Sequence, residues 1–518
     1  APFQDSYHKL DVYVPKIIWN LDEDELHYTY EFGTSQEQRL ARFESQSYFD
    51  ARLYDQLQSM EATHPLVALS KFCYKYDEHN LTEGQAATAL NKIVDQAKPL
   101  LLQLSSLGFI SYDSELKTVV VKPKLDNFVR AKVGKRDYDN IVFRSDLRPR
   151  KLTGSLVALA ESDPSFKAEF DQRNRALTLK KDFAVLSLST LELDLDAVDN
   201  VLLSANKNTI IFPADGLVKV KENRDFVYTG WTNAGKLETN AESASFSYND
   251  FKIKLQKTNE SLFRVRPLDK THGTRGIPMA SILRGVAGEI LIDDPTNRSG
   301  VKEEFAAYPK LNSVNETKVY YNSEEIYRGA YDSARFYYTV APFEMDSLNT
   351  FKESAMRLEG ELVSAGIFPN IKEPLKIMQD YSLGFATIAP DNGYTFYGTD
   401  AKYKNKIVLS NNGLQGSGTI NFMSSTSVSK ALSFLPDSTV GFAKFVNRPV
   451  ETGVEFPDAS SEKAFITYIP DLNILRAAST PKNDLSMFGD EAKLRGTVTI
   501  RPTGMRGFGL MTFSKSNL

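Results

Sequence analysis

Glu192, Asp194 and Asp196 alternate through "LELDLDAV". In an extended strand, side chains two apart share a face, so this spacing lines three carboxylates along one side of a sheet. Such a row supplies the hard oxygen donors that calcium takes, or a polar contact for a polysaccharide. With Leu191, Leu193 and Leu195 on the opposite face, it is also what the solvated side of a half-buried sheet looks like, and this plainer reading is preferred. Asp293, Asp294 and Asn297 in "DDPTNRSG" bring oxygens without EF-hand spacing and read as a turn. Trp231, Tyr320, Tyr321, Tyr327, Tyr331, Tyr337 and Tyr338 are of the type that stacks on sugar rings, although in β-rich chains such residues more often pack across strands. A glycosidase needs two carboxylates flanking a cleft, and 66 acidic side chains offer many pairs while singling out none.

"NNGLQGSGTINF", residues 411–422, has the glycine density of a phosphate loop. Its spacing is GxxGxG, no Lys-Ser or Lys-Thr follows, and the run after it is β-like, so the helix N-terminus that would hold a phosphate is missing. This argues against a nucleotide. A GxSxG elbow is absent as well. The single Cys73 excludes an internal disulfide or a multi-thiolate metal site, and His8, His27, His64, His79 and His272 form no HExxH-type pair. No motif calls for a cofactor.

The elements that must position these residues change character along the chain. Residues 1–63 mix extended runs with a polar, helix-like stretch over 35–60. Residues 64–143 are the most regular: "HPLVALSKFCYKY", "LTEGQAATALNKIVDQAK" with Thr82 as N-cap, and "PLLLQLSSLG" closed by Gly108 read as three helices, followed by the strands "FISY" and "KTVVVKPK". That order resembles a winged-helix domain, with nearby basic residues Lys92, Lys98, Lys117, Lys122, Lys124, Arg130, Lys132, Lys135 and Arg136 to meet phosphates. The third helix, read from Pro99 to Leu107, has Gln103 as its only amide and no Arg, Lys or Asn for base edges, which argues against nucleic acid and for a packing module. Residues 144–182 read as a helical connector containing "GSLVALAES" and "DPSFKAEFDQRNRALTLKK". From 183 the period becomes two, giving β-rich domains over 183–350 and 351–518. Asn392-Gly393 is the strongest hairpin signal. The expected fold is therefore mainly β with a mixed α/β N-terminal third, a winged-helix-like module followed by tandem β-sandwich or β-sheet domains.

Residues 397–422 and 488–513 align without a gap at an offset of 91 residues. Gly413/Gly504, Gly416/Gly507, Gly418/Gly509 and Phe422/Phe513 coincide, which marks a strand–turn–strand unit present twice. The glycines suit a chain reversal and a close strand approach.

The strings "KIVLSNNGLQGSGTINF", "SFSYNDFKIKL" and "LEGELVSAGIFP" resemble large β-rich cell-envelope proteins of the Bacteroidota. This resemblance in style covers the C-terminal two-thirds and implies a compartment, cell envelope or extracellular, with no activity attached. Asp332-Ser333-Ala334, Asp346-Ser347-Leu348 and Asp437-Ser438-Thr439 match the short tripeptides that such bacteria O-glycosylate. With a net charge of −4 from 62 basic and 66 acidic side chains, the chain has no bias toward polyanions. No apolar run reaches the ~20 residues of a membrane-spanning helix. "APFQDSYHKL" is polar from its first residues and does not read as a signal peptide, and the uncapped end at "RGFGLMTFSKSNL" suggests a piece of a larger product. The expected role is a structural or binding component that meets a protein or glycan partner. Carbohydrate-active catalysis and nucleic-acid binding through residues 64–136 are the alternatives.

Overall fold

The computed structural model describes residues 2–31, 39–58, 62–150, 161, 163–266, 276–449 and 456–513. His272 and most of "GSLVALAES" lie outside the described residues. The chain is mainly β, and the α-helices among the described residues all lie before residue 180. It divides into two compact units that interleave in sequence. The first comprises Ala1–Ser261, Ala287–Ser313 and Glu344–Phe351, and the second Leu262–Val286, Val314–Phe343 and Lys352–Leu518. The boundaries expected at 63/64, 143/144 and 182/183 all fall inside the first unit, and the one at 350/351 falls next to the start of the second unit's last segment.

In the first unit, strands Phe3–Asp5, Leu10–Tyr13, Leu40–Ser45, Val142–Asp146, Val198–Ser204, Thr209–Val220, Phe226–Ala234 and Leu237–Ser247 pair antiparallel in succession. Residues 40–45 had read as part of a helical stretch, yet "LARFES" is a strand. It has hydrogen-bonding partners on both sides, and Ala41, Phe43 and Ser45 are buried on one face. Tertiary pairing overrides a local helical preference here.

Between these strands the chain folds the helices Pro65–Tyr76, Glu83–Ala89, Val94–Ser106 and Pro123–Lys132 around a three-stranded sheet of Asn80–Thr82, Thr118–Val121 and Ile110–Asp113. Their apolar faces share a core that includes Leu66, Leu69, Leu101, Leu104, Phe109 and Phe128. Thr82 and Gln85 form a reciprocal capping box at the second helix. The single helix expected over 81–98 is two. Asn91 takes a left-handed φ of 54°, Lys92 N–H closes on the Ala87 carbonyl at 2.9 Å, and a new helix starts at Val94 with Pro99 inside it. An asparagine tolerates that left-handed turn, so it stops the helix where apolar periodicity alone would have continued it.

The second unit is built on an antiparallel meander. It runs through Lys376–Ile377, Leu383–Ile388, Lys402–Ser410, Gly413–Phe422, Ser425–Leu435, Ser438–Asn447, Ala459–Ile469, Ile474–Ala478, Ala492–Arg501 and Gly504–Phe513. Alternate side chains such as Tyr403, Ile407, Leu409, Ile420, Phe434, Ile466 and Tyr468 are buried. Asn392-Gly393 does turn the chain, with Gly393 at φ 72°, but the runs it links do not pair with each other. Both hydrogen-bond to Lys402–Ser410, at Lys406–Leu409 and at Lys402–Tyr403. The turn is a corner rather than a hairpin, because the longer third strand offers each run more pairing than they offer one another.

"NNGLQGSGTINF" is the outgoing half of a hairpin. Ser410 faces Gly413 across Asn411-Asn412, as Arg501 faces Gly504 across Pro502-Thr503, and the residue pairs that follow match at the offset of 91. Gly413 has φ 84°, and a Cβ there would meet the Tyr327 ring at 2.2 Å. A Cβ on Gly416 would meet the Tyr403 hydroxyl at 2.4 Å and the Phe434 ring at 2.6 Å.

Candidate functional site

Asn411, the first residue of the hairpin turn, forms one wall of a cavity of about 410 Å³ in the second unit, lined also by Ala280, Ile282, Arg284, Tyr320, Asn322, Ser323, Ile326 and Ser333. Strand pairing places Arg284 opposite Lys318 and carries Tyr320 to the end of Thr317–Tyr320, where its ring meets Tyr337 edge-on at 6.4 Å. Asn322 and Ser323 follow in the turn that the Ile326 N–H closes on the Ser323 carbonyl at 3.0 Å. Asn411 is fixed from several sides. Its Nδ2 donates to the Ala280 carbonyl at 3.1 Å, its Oδ1 accepts from the Ser281 hydroxyl at 3.4 Å, and its backbone N–H donates to the Ser382 hydroxyl at 3.0 Å. Beneath the turn, the buried Tyr331 hydroxyl accepts from the Leu414 N–H at 2.9 Å and donates to the Phe434 carbonyl at 2.7 Å. Burial raises the Tyr331 phenol well above its ordinary range, so it stays a neutral donor.

None of the described residues lining this cavity is acidic. A guanidinium, two amides, two hydroxyls and the phenol of Tyr320 surround a partly apolar floor. This set hydrogen-bonds neutral polyols and favours an anionic substituent through Arg284.

The predicted carboxylates lie in the first unit and have basic partners. Lys219 Nζ sits 3.0 Å from Glu192 and 3.1 Å from Asp194, and Asp196 bonds to Lys180 instead. Lys219 is raised by its hydrogen bonds to these carboxylates. The three are therefore neutralised by two lysines, and among the described residues no group of three or more His, Cys, Asp or Glu is arranged to hold a metal ion. A neighbouring groove of about 430 Å³ contains Asp194, Glu242 and Tyr228, but Glu242 bonds to Lys257 and the Tyr228 hydroxyl is buried against Thr232. Asp293 and Asn297 are buried in their turn, where Asn297 Nδ2 donates to Asp293 at 3.0 Å and Lys207 Nζ lies 3.3 Å away. Of the aromatic candidates, Tyr321, Tyr331 and Tyr338 are fully buried. Tyr320 reaches the cavity above, and Trp231 lines a shallow dip with Phe212, Asn233 and Glu238.

The helix Val94–Ser106 exposes Asp95, Gln96, Lys98, Leu102 and Gln103. Lys98 is 3.3 Å from Asp95, and Lys132 is 2.6 Å from Asp55. Lys124, expected among the phosphate contacts, is buried.

Lys124 belongs to a network that the sequence reading missed. Its Nζ lies 3.1 Å from Asp11, 3.2 Å from Glu44 and 2.6 Å from the Tyr13 hydroxyl, while Arg42 stacks over the Tyr13 ring at 4.3 Å. Burial raises Tyr13 to about 12. On the other face of Leu40–Ser45, the Ser45 hydroxyl donates to Asp139 at 2.7 Å, Tyr248 donates to the same carboxylate at 2.9 Å, and Arg224 lies 3.5 Å over the Tyr248 ring. Burial pushes the Asp139 carboxyl up. These residues are scattered in sequence and share no spacing. One readable signal existed: Lys124 follows Pro123 in the first turn of a helix, the end that repels a cation, so it must find acidic partners elsewhere.

No family model, curated protein or solved structure matches this chain.

Proposed function

We propose that the chain is a structural or binding component of a bacterial cell envelope, a β-rich scaffold whose second unit holds a glycan or the polar surface of a protein partner. The observation that carries this reading is the cavity of Arg284, Tyr320, Asn322 and Asn411. It presents donors and acceptors from a braced turn, and its described lining residues are neutral or basic. Placement in the envelope rests on the resemblance of the β-rich segments. The matched pairing register of 402–422 and 492–513 supports a duplicated unit, and the helix–strand–helix–helix–strand–strand order over 65–121 supports a winged-helix-like packing module.

Titration calorimetry against neutral and uronic-acid-containing envelope oligosaccharides tests the proposal. Binding is expected to weaken about tenfold or more in Arg284→Ala and Asn322→Ala, the scale of one lost charged or polar contact. Titrations of the wild-type chain that show no heat with either class would remove the glycan half of the proposal. Release of reducing ends from those oligosaccharides would favour the hydrolase instead. Retention on DNA at low salt would favour the nucleic-acid reading.

A further inference from the structure

In the first unit, the turn over 293–300 is clamped onto the hairpin turn at Asn206-Lys207. Asn206 Nδ2 donates to the Ser299 carbonyl at 2.8 Å. Gly300, at φ 71°, lies so close that a Cβ there would stand 3.4 Å from both Cγ and Cε of Lys207. Inside the clamp, Lys207, Asp293 and Asn297 are buried. Two nitrogens meet on one oxygen: Asp293 Oδ2 lies 3.3 Å from Lys207 Nζ and accepts from Asn297 Nδ2 at 3.0 Å. The Lys302 N–H donates to Asn297 Oδ1 at 3.1 Å, so the carboxamide is pinned at both ends and its partners fix which atom is nitrogen. Lys207 Nζ also donates to the Phe305 carbonyl at 2.8 Å. A buried ion pair explains the lysine and the aspartate. It does not require a carboxamide that shares the lysine's oxygen and whose carbonyl meets a backbone N–H at the distance that holds a developing oxyanion.

We propose that Lys207 and Asn297 become joined by an amide bond formed inside the folded unit, with Asp293 carrying the proton. Lys207 Nζ, as a neutral amine, adds to Asn297 Cγ, and the negative charge that develops on Oδ1 meets the Lys302 N–H. The Cγ–Nδ2 bond then breaks. Asp293 gives a proton to Nδ2 and recovers one from Nζ, so ammonia leaves and the carboxyl ends as it began. Amine and carboxamide give amide and ammonia, and the step consumes no co-reactant. Burial pushes the Asp293 carboxyl up, which favours the protonated form that the leaving nitrogen needs. The bond ties the hairpin of Val198–Ser204 and Thr209–Val220 to the turn after Gly288–Leu291, across roughly 90 residues of chain. This inference concerns the first unit and is independent of the cavity in the second.

Intact mass of the full chain, unfolded only for the measurement, reads the bond directly. The wild type is expected to fall short of its sequence mass by about 17 Da, one ammonia, and proteolysis is expected to release a branched fragment joining Lys207 to Asn297. Lys207→Arg, which has no amine to acylate, and Asp293→Asn, which has no proton to pass, are expected to keep their full sequence mass with unchanged circular dichroism. A wild-type chain at its full sequence mass would overturn the proposal, and that result needs no variant to fold. A loss that persists in Lys207→Arg would mark a succinimide elsewhere and overturn it as well. A fragment joining Lys207 to Asp293, with loss of about 18 Da as water, would overturn the choice of Asn297. Undiminished loss in Asp293→Asn would remove Asp293 from the reaction.

Discussion

At Lys124, one ammonium satisfies two buried carboxylates and a phenol. Removing it leaves the buried Asp11 without its ammonium and Glu44 with Arg42 alone, at 3.0 Å, so Lys124→Ala is expected to cost about 3–5 kcal/mol, the usual penalty for breaking a buried ion pair from one side. Urea unfolding checks this, and Lys124→Arg is expected to recover little because a planar guanidinium does not fit a three-way ammonium site. His64 makes a different prediction. Its Nδ1 accepts from the Leu66 N–H at 3.1 Å and its Nε2 donates to the Tyr54 carbonyl at 2.8 Å, so the neutral ring caps the helix Pro65–Tyr76. Burial lowers its pKa below the ordinary value of about 6.5, so the native state holds fewer protons than the unfolded chain. The stability it contributes is present above that ordinary value and is lost as pH falls toward the depressed native value. Hydrogen exchange of Leu66–Cys73 is expected to quicken from about pH 7 to pH 5, and His64→Asn, a cap that does not titrate, is expected to flatten that slope.

At the scale of single elements, the two matched hairpins give unequal answers to one substitution. Gly416→Ala drives a methyl into the Tyr403 hydroxyl and the Phe434 ring and is expected to cost about 1–3 kcal/mol in thermal unfolding. Gly507→Ala meets, among the described residues, the flexible end of Leu494 at 3.3 Å and is expected to cost clearly less than Gly416→Ala. Equal losses at both positions would mean that the glycines serve the strand's backbone rather than its neighbours. The glycines were legible in the sequence as turn and packing devices because their spacing of two is itself a strand signature. The neighbours that make one copy intolerant were not legible, since Tyr403 sits on the preceding strand and Phe434 on the following one. Capping residues such as Thr82 were readable for the same local reason, whereas strand Leu40–Ser45 depended on partners far along the chain.

Across the whole molecule, the mainly β character with helices gathered early was plain from the change of hydrophobic period near residue 183. The two units were not, because each is assembled from three separate stretches. The cavity was missed for a related reason: Arg284, Tyr320 and Asn411 come from three stretches with no common motif, while the regular Glu192–Asp196 spacing drew attention to side chains that lysines neutralise. Truncation after Ser261 removes Gly288–Leu291, which pairs with Lys252–Leu255, and Lys310–Ser313 beyond it. Calorimetry on residues 1–261 is expected to show a lower and broader transition than the full chain, with exposed apolar surface detectable by dye binding. A sharp, unshifted transition would show that the later strands are ornaments.

The interleaving also sets a schedule for biosynthesis. The strand Glu344–Met345 completes the pairing of Leu311–Asn312, so the first unit cannot close until about two-thirds of the chain has emerged. Until then its nascent sheet waits with Leu311 uncovered, while stretches destined for the second unit pass through the same exit. Growing chains halted shortly before residue 344 should therefore depend on holding chaperones, and those halted beyond residue 351 much less.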